Sequence, residues 1–141
     1  MRILAALAAT LTLLAGCGSD DQDGASAPDP ADLDATTFTS TDVSGHDLVE
    51  GSAVTLSFQE GTLAVKAGCN TQTGEYDVDD NGTLKWTRPA ASTTIACPTP
   101  DLAEQDQWLA GLFTDGMDAT LDRGTLTLTG SDDVELVLSA G

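Results

Sequence analysis

From Asp42 to the C-terminus the chain alternates apolar and polar residues in short runs separated by glycine. A period of two places one set of side chains on one face, so these runs read as half-buried antiparallel strands joined by hairpins. Val54, Leu56 and Phe58 share a face, Glu60-Gly61 turn the chain, and Leu63, Val65 and Ala67 return. Tyr76 and Val78 lead into Asp80-Asn81-Gly82, with Leu84 and Trp86 beyond. Asn-Gly between alternating apolar residues predicts a tight hairpin with positive φ at both turn positions. Ala119 and Leu121, Asp122-Arg123-Gly124, then Leu126 and Leu128 repeat the pattern, and Gly130 to Asp133 turn the chain into Val134, Leu136 and Leu138. Gly-Thr-Leu recurs at Gly61, Gly82 and Gly124, each time at a hairpin exit.

One stretch changes period. Pro100 precedes Asp101, and Glu104 three residues after Asp101 gives a start like a capping box. Leu102, Leu109, Leu112 and Phe113 follow at helical spacing, with Gly116 just past the expected end. The expected fold is therefore mostly β, of the α+β class: a curved antiparallel sheet of short hairpins packed around one helix.

The N-terminus obeys neither pattern. Arg2 is followed by an apolar run from Ile3 to Leu14 and then small residues, the layout of a secretory signal. The run is too short to span a bilayer, which takes ~20 apolar residues for ~30 Å of hydrocarbon. It ends in Leu14-Ala15-Gly16-Cys17, which resembles the bacterial lipobox. That resemblance implies diacylglycerol on Cys17 and cleavage before it, so residues 1–16 are expected to be a lipoprotein-type signal peptide. Two acyl chains, each gaining ~0.8 kcal/mol per buried CH₂, hold a protein durably where one holds it marginally. Residues 17–37 would then be the lipidated cysteine and a disordered acidic tether, since Gly18 to Leu33 has little to bury, and residues 38–141 the folded domain. An ordinary signal peptide with a leftover cysteine is the plainer alternative.

Composition narrows the partners. The chain has 141 residues, room for one domain, with 23 acidic residues against five basic ones and a single histidine. A surface of net charge −18 repels nucleic-acid phosphates and anionic headgroups, so nucleic-acid binding is not expected. Of the three cysteines, assigning Cys17 to lipid leaves Cys69 and Cys97, which export to an oxidising space would pair as a disulfide. Closing that loop is worth ~3–4 kcal/mol on the loop-entropy account. Two free thiols remain an alternative; a metal site has little support, with one histidine and no Cys-x-x-Cys.

Gly68-Cys69-Asn70 after a hairpin, Gly74 followed by Tyr76, Thr93-Thr94-Ile95-Ala96-Cys97, a helix and a final Gly-Thr-Leu-Thr-Leu strand pair together resemble the META domain of HslJ-like proteins. The resemblance runs from about Phe38 to Leu138, and departs at Ile95, where the family usually carries methionine. It implies antiparallel strands around a helix and an envelope location, with associations to heat induction and novobiocin resistance. It carries over no catalytic residue, and it reads Cys69 and Cys97 as structural.

Several residues invite a chemical reading. Asp77 to Gly82 imitates the first half of an EF-hand loop, but the twelfth position is Arg88 where a bidentate glutamate is required. His46 has no accompanying nucleophile motif and reads as a loop histidine. Trp86 and Trp108 read as core residues, with a ligand groove as the alternative, and Gly68-Cys69-Asn70 as a disulfide-pinned turn. No catalytic, cofactor or metal residue is assigned, so the expectation is no enzyme and no cofactor. The chain is expected to be a lipid-anchored module on the extracytoplasmic face of the cell membrane, contacting an envelope protein or serving in stress. The alternative is a carrier of a small molecule or lipid, using a cleft between sheet and helix lined by Trp86, Trp108 or Phe113.

Overall fold

The computed structural model describes residues 25–141. The expected signal peptide and Cys17 lie outside the described residues.

The hairpin pattern forms as expected, and its ends meet. The elements run α1 (Pro30–Leu33), β1 (Thr36–Ser44), β2 (Thr55–Gln59), β3 (Thr62–Lys66), β4 (Thr71–Val78), β5 (Thr83–Trp86), β6 (Ala91–Ser92), α2 (Pro100–Asp115), β7 (Met117–Asp122), β8 (Thr125–Thr129) and β9 (Glu135–Ala140). Eight strands pair antiparallel in the order β1-β2-β3-β4-β5-β7-β8-β9 and back to β1. The curved sheet of the sequence reading is thus a closed barrel, which leaves these strands no open edge. Closure rests on β3 with β4 (Leu63 opposite Gly74) and β1 with β9 (Val43 opposite Leu136). The short β6 adds outside the ring, beside the first half of β4.

Alternation fills the interior. Phe38, Leu56, Phe58, Leu63, Val65, Leu84, Met117, Leu126, Leu128, Leu136 and Leu138 are all at most 1% exposed. Burying each such side chain gains about 1.5–3 kcal/mol. Phe58 meets Phe38 and Tyr76 edge-on, at centroid distances of 5.8 and 5.0 Å.

Because neighbouring strands are antiparallel, one mouth of the barrel collects the end of β3, the starts of β2 and β4, and the end of β5. Helix α2 lies across that mouth. Its Leu109, Leu112 and Phe113 are buried as the spacing predicts, with Phe113 5.7 Å from the Trp86 ring. Leu102 is only half-buried, and Gln105 and Asp106 share the buried face. Gln105 accepts from Val49 N (2.7 Å) and donates to Ser52 Oγ (2.8 Å) and to the Ala67 carbonyl. The helix begins two residues earlier than the capping-box reading at Asp101, with Thr99 as N-cap and Pro100 in the first turn, and no side chain caps it.

The opposite mouth is closed by residues expected to be tether. Ser26 pairs with Leu121 as a β-bridge, α1 carries an Asp29/Asp32 capping box, and Leu33 is fully buried. Asp34 Oδ1 accepts from Glu60 N at 2.6 Å, and Tyr76 donates its hydroxyl to the Pro30 carbonyl at 3.4 Å. Residues 26–37 therefore belong to the fold, and β1 starts at Thr36, before the expected domain start at Phe38. The physical reason is that Leu33 supplies a large apolar side chain for an otherwise open mouth. Burial, then the nearby Asp34, Asp77 and Asp29 carboxylates, push the Tyr76 hydroxyl above the usual tyrosine pKa.

The turns divide into two kinds. Glu60-Gly61 (φ 50° and 79°) and Arg123-Gly124 (φ 49° and 81°) have positive φ at both central positions, as tight hairpins demand. At Asn81-Gly82 only Gly82 does. Asp79 Oδ1 instead accepts from Asn81 N and Thr83 N, both at 2.9 Å, and organises a longer turn. Segment 77–82 is thus a β-hairpin tip whose Asp79 carboxylate is bonded to its own backbone.

Candidate functional site

Gly68-Cys69-Asn70 and Thr93 to Cys97, far apart in sequence, are joined over α2 at its mouth of the barrel. Cys69 and Cys97 form a disulfide with Cα atoms 5.7 Å apart. Asn70 adds a second connection: its Oδ1 accepts from Ile95 N (2.7 Å) and Thr93 Oγ1 (3.0 Å), and its Nδ2 donates to the Ile95 carbonyl (3.3 Å). From below, Asp106 Oδ2 accepts from Asn70 N (2.9 Å) and Cys69 N (3.3 Å).

Gly68 is required here by space. A Cβ at Gly68 would lie 2.4 Å from the Leu102 carbonyl oxygen and 2.7 Å from Asp106 Oδ1, closer than side chains pack. The close approach of α2, and not a special backbone angle, is what demands glycine at this position. Cys69, Cys97 and Asp106 also place three ligand-type atoms within 4.8 Å of one another. The two sulfurs are spent on each other, and a metal would need them as thiolates.

The same assembly builds a groove. Gln72 follows Asn70 by two residues and donates from Nε2 to the Asp106 carbonyl at 3.1 Å, while its Oε1 is buried without a partner. Gln72, Trp86, Lys85, Arg88, Pro89 and Ala110 are among the residues that line a groove of about 440 Å³ between α2 and the chain linking β5 to β6. That volume lies within the roughly 300–1,000 Å³ of ligand sites. Trp86 fills both roles weighed for it: it is 4% exposed, donates from Nε1 to the Leu63 carbonyl at 3.2 Å, and forms part of the groove wall.

The remaining candidates fall elsewhere. Trp108 is half-buried rather than core, and its ring stacks on His46 at 3.7 Å with planes 10° apart. Phe113 is fully buried behind Trp86, so it lines no cleft. Gln72, Gln105 and Asp106 escaped the sequence reading. The helical pair announces itself only by position, three and four residues after Leu102 on the stripe that continues to Leu109.

The family model for the META domain matches residues 31–140. The chain belongs to the META domain family. The start of the match agrees with the ordered segment around Leu33 in this META domain. Two solved structures share its fold. One, described as an NMR structure of a protein, has 23% identity and a TM-score of 0.61, covering 79% of this chain and 94% of its own. The other, an NMR structure of a protein from Burkholderia xenovorans, has 22% identity and a TM-score of 0.60, covering 84% of this chain and 94% of its own. No curated protein matches the chain.

Proposed function

We propose that this META domain is a non-catalytic binding module, held on the outer face of a bacterial membrane by diacylglycerol on Cys17. Its ligand, a small molecule or lipid fragment, occupies the groove between α2 and the β5–β6 link. The observation that carries the reading is a groove of about 440 Å³ walled by Trp86, Pro89 and Ala110 and lined by Lys85 and Arg88. The disulfide supports an oxidising compartment, and Leu14-Ala15-Gly16-Cys17 supports the anchor.

One observation favours contact with an envelope protein as a second reading. Ile95, in the disulfide-held loop, is a large apolar residue left 61% exposed. A photoreactive residue in place of Pro89, irradiated in intact cells, separates the two. Small-mass adducts support the ligand reading; adducts with protein alone overturn it in favour of the second. Fractionation of Cys17→Ala tests the anchor: the variant should leave the membrane fraction, and unchanged partitioning overturns lipidation.

A further inference from the structure

Resting on the groove reading above, we infer that the groove takes a small amphipathic anion: an apolar body carrying one negative charge. The charge argument comes from where the few cations sit. The chain carries 23 acidic residues and five basic ones, yet two of the five, Lys85 and Arg88, line this groove and no carboxylate does. Other surface grooves differ in kind: one is lined by Asp42 and Asp47, another by Asp47, Glu50, Asp101 and Glu104, a third by Glu60. A random draw from so acidic a surface would line this groove with carboxylates as well.

Arg88 does have a neighbour, Glu75, at 3.6 Å. Both side chains are largely in solvent, 80% and 64% exposed, so the pair is screened and leaves the guanidinium free to take a ligand anion. Trp86, Pro89 and Ala110 supply apolar surface for the body of the ligand. The net charge of −18 repels anions in proportion to their charge, so it disfavours a polyanion far more than a ligand bearing a single charge.

The test uses residues 25–141. All of the described core lies within this segment, and the solved structures of the same fold match over 94% of their own chains, so a unit of this size folds alone. N-octanoylglycine, which carries chain, amide N–H and carboxylate, is titrated while backbone and indole NMR shifts are followed. Saturable shifts are expected at Trp86 Nε1, at Thr87 to Ser92 and at Ala110. The uncharged N-octanoylglycinamide should bind about five- to tenfold more weakly, the scale of two partly exposed charge contacts. The Lys85→Gln, Arg88→Gln double variant alters only exposed side chains and should abolish that preference. Equal binding of the charged and uncharged conjugates overturns the anion assignment and leaves the groove reading intact. No shift at groove residues with any probe overturns both.

Discussion

Asn70 grips Ile95 by both backbone polar groups, accepting from its N–H at 2.7 Å and donating to its carbonyl at 3.3 Å. A side chain thereby does the work of a strand across a loop that has none. Asn70→Asp keeps the acceptor and loses the donor; Asn70→Ala loses both. The expected order of stability is wild type, then Asp, then Ala, with the last lower by about 1–3 kcal/mol. Chemical denaturation measures it, and faster amide exchange from Thr93 to Cys97 should accompany it.

Gly68→Ala should be among the costliest single-methyl additions in the domain. The Leu102 carbonyl that the new Cβ meets is backbone in the first turn of α2, so the start of the helix must shift. Overpacking of this kind costs about 1–3 kcal/mol. A thermal melt no lower than wild type would show that α2 can move away freely.

The most instructive mismatch between pattern and structure is at Leu33. Seven of the strands were legible because Leu56, Phe58, Leu63, Val65 and their counterparts alternate with polar residues. Strand β1 was not, since Thr36 to Ser44 buries only Phe38 and alternates nothing else. Barrel closure was illegible for a different reason: pairing Leu63 with Gly74, or Val43 with Leu136, depends on curvature summed over the whole sheet. The groove could not be read at all, because Gln72, a polar residue at an inward strand position, looks like a break in the pattern. Leu33→Ala tests the lesson directly. If residues before Phe38 were only a tether the change would be neutral; a fully buried leucine predicts a loss of about 2–5 kcal/mol.

Reduction of the Cys69–Cys97 bond should lower stability by about 3–4 kcal/mol, the loop-entropy value for a separation of 28 residues. Paired denaturation curves with and without reductant measure it. Thiol labelling of the denatured, unreduced domain should find neither cysteine reactive.

Tyr76 makes stability depend on alkaline pH. Its folded pKa lies above the unfolded value of about 10, because burial and then Asp34, Asp77 and Asp29 oppose the phenolate. The folded state therefore holds its proton where the unfolded chain has released it. This contribution is complete below pH about 10 and declines as pH rises toward and through the folded pKa. Tyr76→Phe should flatten that decline, and ultraviolet titration is unambiguous because the chain has one tyrosine.

The Ser26–Leu121 bridge fixes where the polypeptide enters the barrel, at the mouth facing away from α2. Any tension transmitted from a bilayer through Cys17 would arrive there, peeling at a single two-bond pairing before it reached a full strand. The helix, the disulfide and the Trp86 groove stand at the opposite pole, so under the proposed anchoring the groove is the part of the domain held farthest from the lipid.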